Sequence, residues 1–418
     1  MTSLRILVCL SFLCCSTAPV AGRDGELPFL ASSKVTVPVN AAVEGLIEQE
    51  MLAGAVTLVA ARGGKVIHLQ AHGIHRIDRE TPKMTSDRIF RIFSMTKAVT
   101  SAAALQLLEK GKYKLTDPVA DFIPSFANLQ VRTAPGESAP AKKTMTVEDL
   151  FRHTSGLAYN FTAPPDLVPA YNGNFWGGTL EDFCDQVAAI PLVHEPGEGW
   201  TYGVSTDVLG RLVEIWSGES LDDYLQTEFF DPLKMKNTGF YIREEMHPGR
   251  SAAMHYSTDS GLRVGEDPDG NSYRVKPTAP SGGGGLFSTA SDYYQFLQMI
   301  ADGGSRHGHT FLKPGTVAMM TSNRLPESIP NIHFGNEQRN GVGFGLGFSV
   351  VIGETKGWDD DAKPGEYGWG GAASTHYWVS PHDDNLIVIT MEQTMPYNWN
   401  LERALKPVIY EFLRNADH

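Results

Sequence analysis

The spacing of apolar positions changes character along this chain. Residues 39–51 suit a helix. Residues 55–62 and 65–73 are rich in β-formers, and Gly63-Gly64 between them is a two-residue hairpin signal. A mostly small and apolar run over residues 98–108, closed by Gly111, predicts a buried helix. The middle of the chain mixes Pro- and Gly-rich loops with short helical stretches at 147–153, 180–190 and 207–216. The last of these has Ser205 or Thr206 as N-cap and Gly218 as stop. Residues 261–275 read as a polar hairpin around Pro268-Asp269-Gly270. Residues 282–285 read as a flexible glycine connection into a helix at 291–301. Strands are expected at 345–353, 374–379 and 385–392, with residues 381–384 turning the last two, and an amphipathic helix at 401–414 closes the chain. Strands at both ends and helices between them predict an α+β fold. Its antiparallel sheet is assembled from residues 22–90 and 286–418, a mainly helical region at 91–285 is inserted, and the site lies at the interface.

Composition narrows the class. With 418 residues, 42% hydrophobic and 20% charged, the chain can bury a sizeable core. A formal net charge of −13 and the lack of a basic run argue against nucleic acid as a partner. Residues 1–21 read as a secretory signal: a weakly positive start, an apolar stretch at 6–15 too short to span a bilayer, then small residues with cleavage near Ala21 or Gly22. The expected location is therefore the periplasm or the medium, without stable membrane insertion. Cys9, Cys14 and Cys15 fall in that leader. Cys184 remains alone, so no internal disulfide is expected, and its helical setting suits a small buried hydrophobe.

The chemistry centres on Ser94-Met95-Thr96-Lys97, the one Ser-x-x-Lys of the chain. Positions three apart on a helix share a face, so the hydroxyl and the amine can meet. A neutral lysine at that distance can take the proton that makes serine a nucleophile. There is no Gly-x-Ser-x-Gly elbow, no His-Glu-x-x-His and no Cys/His cluster, and Asp267 and Asp269 lack the other ligands of a calcium loop. Neither metal nor cofactor is expected.

Four further segments follow in order: His153-Thr154-Ser155-Gly156-Leu157, Tyr202-Gly203-Val204, Gly282-Gly283-Gly284-Gly285-Leu286 and Trp369-Gly370-Gly371. Together with the Ser-x-x-Lys turn, the chain resembles the serine hydrolases related to class C β-lactamases and penicillin-binding proteins, and among them the family VIII bacterial carboxylesterases. The resemblance runs from about Val39 to the C-terminus. It implies Ser94 as the nucleophile of an acyl-enzyme, with Lys97 and Tyr202 sharing the general-base and general-acid work. It also implies an oxyanion hole from the backbone N–H groups of Ser94 and Ala372. Either Lys97 or Tyr202 can move the first proton on this basis.

Two positions depart from the β-lactamase pattern. Val204 stands where Tyr-x-Asn carries the asparagine that binds a substrate amide, and its side chain forms no hydrogen bond. Trp369 stands where those enzymes carry a cation suited to a substrate carboxylate. Trp369, Gly370 and Gly371, with Tyr159, Phe161 and Trp176 from an aromatic, proline-containing loop, are expected to line a pocket for a small neutral ester. His153 is expected to brace its local turn, His376 to pack on the strand face of Ala372 and Ser374, and Asp207 to serve a helix dipole. The implied activity is hydrolysis of short-chain or small aromatic esters, with weak action on β-lactams. The alternatives are a β-lactamase, a D,D-peptidase or an acyltransferase, and a non-catalytic binding protein on the same fold. The oligomeric state is left open.

Overall fold

The computed structural model describes residues 32–416 apart from 62, 81, 174, 269, 335 and 336; the leader expected at 1–21 lies outside the described residues. Helix α1 (Ser33–Glu48) precedes strands β1 (Gly54–Ala61) and β2 (Lys65–Gly73). The chain returns to the same sheet with β3 (Val342–Phe344), β4 (Ser349–Val351), β5 (Tyr367–Gly370), β6 (His376–Ser380) and β7 (Leu386–Met391). The order across this sheet is β3-β4-β5-β6-β7-β1-β2, and every neighbouring pair is antiparallel. The N-terminal hairpin thus completes a sheet begun by C-terminal strands, with Val56 opposite Met391 and Ala60 opposite Ile387.

Strand β1 is buried along its whole length because both faces are covered. Ala55, Val59 and Ala61 join Val35, Val39 and Val43 of α1 and Leu401, Leu405 and Ile409 of the closing helix (Asn400–Ala416). Each helical trio repeats every four residues, a stripe that turns one face to the sheet. Val56, Leu58 and Ala60 face the other way, into the larger core. There they meet the helix Thr96–Glu109, whose Ala102, Ala103 and Leu105 are fully buried, and the helix Ala290–Ala301.

Several boundaries move from their expected places, each for a local reason. The first helix begins at Ser33 rather than residue 39, continuing through Pro38. The stretch at 345–353 is not one strand: Gly347, at φ +114°, turns the chain between β3 and β4. The polar hairpin pairs Met254–Thr258 with Gly261–Glu266, its reversal ending at Gly261 (φ +100°) instead of centring on Pro268. Val204, not Ser205 or Thr206, caps Ser205–Ser217, which stops at left-handed Gly218 as expected. Ser374 takes φ +64°, so β6 starts at His376, and His376 shares no strand face with Ala372 or Ser374. Cys184 is fully buried in Leu180–Ala188, and burial raises its thiol pKa.

Glu392, just beyond β7, is buried and accepts from Thr394 Oγ1 at 3.0 Å. Burial pushes its carboxyl up to about 8. The folded state therefore holds a proton that the unfolded chain gives up at the ordinary carboxylate pKa. This contribution is full below that value and is lost as pH rises toward about 8. The melting temperature is expected to fall over that window, and less steeply in Glu392→Gln. Scanning calorimetry from pH 5 to 9 checks this; parallel curves would refute it.

Candidate active site

The Ser94 turn is built by a tight bend. Phe90–Arg91 pairs with Phe287–Ser288, Phe93 adopts φ +44°, and Phe93–Met95 forms one 3-10 turn that runs into Thr96–Glu109. The turn leaves Ser94 half-exposed while Lys97 is 1% exposed. Lys97 Nζ lies 3.2 Å from Ser94 Oγ, 3.0 Å from Tyr159 Oη and 2.6 Å from the Gly283 carbonyl oxygen. The three acceptors match the three donors of an ammonium. A neutral amine at the same point has two donors and a lone pair, so it can receive a proton from a hydroxyl.

Tyr159 is therefore a Lys97 partner, not part of the cavity wall where the sequence reading put it. Asp207 does sit in the first turn of its helix, but it is fully buried and its part is larger than a dipole contact. Its Oδ1 accepts from Ser281 Oγ at 2.6 Å and Gly283 N–H at 2.9 Å. Burial raises its carboxyl pKa, opposed by the nearby Lys97 charge. Burial also raises the Tyr159 phenol, with Asp207 adding to the effect. A Cβ on Gly283 would stand 2.4 Å from Asp207 Oδ2 and 2.9 Å from Tyr159 Oη, so a side chain cannot fit there. The glycine stretch is thus a fixed wall, held by Asp207 through its N–H and by Lys97 through its carbonyl.

Tyr202 presents the face of its ring to this group: Lys97 Nζ is 4.7 Å from the ring centroid. Its hydroxyl accepts from Trp369 Nε1 at 3.0 Å, a bond the sequence did not signal. His153 is buried at φ +59° and packs 4.9 Å from the Tyr202 ring; burial and then the Lys97 charge hold its pKa well below the ordinary value. It braces Tyr202 as well as its own turn. Trp369→Phe keeps most of the aromatic wall and removes this hydrogen bond, a loss of about 0.5–1.5 kcal/mol. The expected result is a drop of about 3- to 10-fold in kcat with KM little changed, read from steady-state ester hydrolysis.

Ser94, Tyr202, Trp369, Gly370, Gly371 and Ala372 line one cavity of about 430 Å³. Gly371 brings the Trp-Gly-Gly segment against the Ser94 turn: a Cβ there would lie 2.3 Å from the Ile92 carbonyl oxygen. Among the described residues no hydrogen bond engages the Ala372 N–H. Phe161, 68% exposed, also lines the cavity. Trp176 does not: it is 43% exposed and stacks on Phe183 at 4.7 Å.

A family model described as Beta-lactamase matches residues 39–405. The chain belongs to the beta-lactamase family. It is a serine hydrolase or acyltransferase of that class. Protein Rv1367c of Mycobacterium tuberculosis (strain ATCC 25618 / H37Rv) is 34% identical over 369 residues, covering 85% of this chain and 90% of that protein. Esterase EstB of Burkholderia gladioli is 29% identical over 414 residues, covering 93% and 99%. The solved structure of EstCE1, a hydrolase with promiscuous acyltransferase activity, superposes with a TM-score of 0.76 at 24% identity over 90% of this beta-lactamase-family chain and 98% of that one, a likeness of fold. Among the described residues no helix is long and apolar enough to cross a membrane.

Proposed function

We propose that the chain is a serine carboxylesterase that hydrolyses short-chain or small aromatic carboxylic esters through an acyl-enzyme on Ser94. The observation that carries this reading is the 3.2 Å contact between Lys97 Nζ and Ser94 Oγ, beside a cavity walled by Trp369. Lys97, as the free amine, takes the hydroxyl proton while Oγ bonds to the ester carbonyl carbon. The carbonyl oxygen becomes an oxyanion facing the N–H groups of Ser94 and Ala372, each worth on the order of 10²–10³ in rate. The C–O bond to the alcohol then breaks, and the departing oxygen takes the proton back, with Tyr202 sharing this transfer across the cavity wall. Water repeats the sequence on the acyl-enzyme and releases the acid.

Val204 and Trp369 support an ester over an anionic β-lactam or peptide at this end of the site, because the amide-binding asparagine and the adjacent cation are both replaced. Weak opening of strained β-lactams remains compatible with the same groups. Acyl transfer is the second reading: Phe161, Phe334 and Trp369 give the cavity an apolar wall that favours an organic alcohol over water as acceptor. Export through residues 1–21 belongs to the same proposal, and the intact mass of protein secreted by an expressing cell reports cleavage near Ala21 or Gly22.

The test is intact-mass spectrometry after brief exposure to p-nitrophenyl butyrate or nitrocefin, with turnover followed by absorbance. A butyryl adduct and fast ester turnover support the esterase. Dominant nitrocefin turnover replaces it with a β-lactamase. Product shifted to the ester of an added alcohol replaces it with an acyltransferase, and neither adduct nor turnover with either reagent favours a binding protein.

A further inference from the structure

The cavity runs past Trp369 to residues that this chemistry does not use. Arg339, at the end of the short strand Glu337–Arg339, lies in the wall there. Its guanidinium carbon is 4.3 Å from the Phe334 ring centroid, 4.6 Å from Trp399 and 5.3 Å from Trp358. The residue is 8% exposed, yet its buried Nε has no hydrogen-bond partner among the described residues. The closest carboxylate is that of exposed Glu337, with Oε1 3.5 Å from Nε. Buried arginines normally sit in paired, hydrogen-bonded settings, because an unpaired charge is expensive to desolvate. Burial accordingly lowers the Arg339 pKa.

Among the described residues, Arg339 is the one arginine or lysine that lines this cavity. Lys406 is held by Asp359, at 2.6 Å, and by Glu366. Glu402 lies 3.3 Å from His376 Nε2 and 3.7 Å from Lys406 Nζ, its Oε2 makes no hydrogen bond among the described residues, and burial pushes its carboxyl up to about 8. Burial keeps His376 neutral, and burial raises the phenol of Tyr397. Arg339 is thus a cation, flanked by Glu337, whose buried Nε lacks a hydrogen bond in the wall of a cavity that also holds Ser94, and its flat fork is framed by aromatic faces.

We propose that this end of the cavity is a carboxylate subsite, in which Arg339, framed by Phe334, Trp358 and Trp399, receives the carboxylate of an ester that carries one on its acyl or its alcohol side, with the ester group at Ser94. The inference rests on the esterase reading above and specifies its substrate class. The fork of a guanidinium matches a carboxylate in bidentate fashion, and the aromatic walls cover the carbon chain between the two groups. One cation balances a monoanion; a dianionic phosphate would leave buried charge uncompensated. The anion-recognising charge missing at Trp369 is supplied from a different part of the chain.

The experiment compares kcat/KM for three esters in the wild type and in Arg339→Met: phenyl butyrate, phenyl hemiglutarate (carboxylate on the acyl side) and 4-butyryloxybenzoate (carboxylate on the alcohol side). At least one charged ester is expected to exceed phenyl butyrate by about tenfold, the lower range for a charge-assisted pair, and that ratio is expected to collapse in Arg339→Met. The arm that responds tells which side of the ester faces Arg339. Phenyl butyrate turnover with no charged preference, or a preference that survives Arg339→Met, overturns the subsite and leaves the esterase reading standing. Calorimetry of the wild type with glutaramate, a monoanion, against neutral glutaramide decides the subsite without turnover or a variant. Tighter glutaramate binding by about tenfold supports it, and equal or absent binding overturns it, even if every ester proves inert and the esterase reading fails.

Discussion

Ser94→Ala is expected to lower ester turnover by on the order of 10⁴- to 10⁶-fold, the range found when a covalent nucleophile is removed from a serine hydrolase. The reason is local. The half-exposed hydroxyl faces the cavity and stands 3.2 Å from Lys97 Nζ, and an acyl-enzyme cannot form without it. Alanine fits the 3-10 turn Phe93–Met95 without strain, because the left-handed residue is Phe93 and the Ser94 hydroxyl supports no other contact among the described hydrogen bonds. The melting temperature should stay near that of the wild type. Initial rates with p-nitrophenyl butyrate measure the effect, and intact mass should show no adduct. Retention of a tenth of the wild-type rate would remove Ser94 from the chemistry.

Lys97→Met should cost about 10²–10⁴-fold in kcat, the usual weight of a positioned acid–base group. Methionine keeps the apolar stem in the core but supplies no amine. Ser94 loses the amine beside its hydroxyl, and the Gly283 carbonyl and Tyr159 hydroxyl lose a donor. An acceptor left unpaired in a buried site costs about 1–3 kcal/mol, so the melting temperature should fall as well. Asp207 also loses the charge that opposes its burial, and its carboxyl should rise further. A rate of acylation by a fluorophosphonate reduced in step with kcat would tie the loss to the first proton transfer. Activity above a tenth of wild type in the folded variant would shift that transfer to Tyr202.

The further contacts form one connected support. Trp369 holds the Tyr202 hydroxyl, Lys97 lies over the Tyr202 ring, and Asp207 fixes Gly283, whose carbonyl in turn receives Lys97. These residues come from four separate stretches of chain. Their alignment depends on the packing of Thr96–Glu109 against Ser205–Ser217 and on the closeness of Gly371 to Ile92.

What the sequence determined by itself is what local rules control. Residue period and glycine signals mark the β1–β2 hairpin, the buried helix after Ser94, the stop at Gly218 and the closing amphipathic helix. Three-residue spacing on one turn puts Ser94 and Lys97 within reach of each other. The sheet that joins both ends of the chain was also legible, because strands occur at the two ends and helices between them. Tertiary structure decided the rest, for reasons that involve distance in sequence. Tyr159 looked like a pocket aromatic because nothing near it in sequence shows Lys97, 62 positions away. Trp369 does line the cavity as its sequence suggested, but its further bond to Tyr202 spans 167 positions and no local pattern carries it. Asp207 looked like a helix-dipole residue because Ser281 and Gly283 arrive from another segment. Arg339 gave no signal at all: its aromatic frame comes from residues 334, 358 and 399, which have neither a common period nor a motif. Backbone periodicity is written in neighbouring residues, whereas the pairing of polar groups in a dry site is settled only when distant segments pack and exclude water.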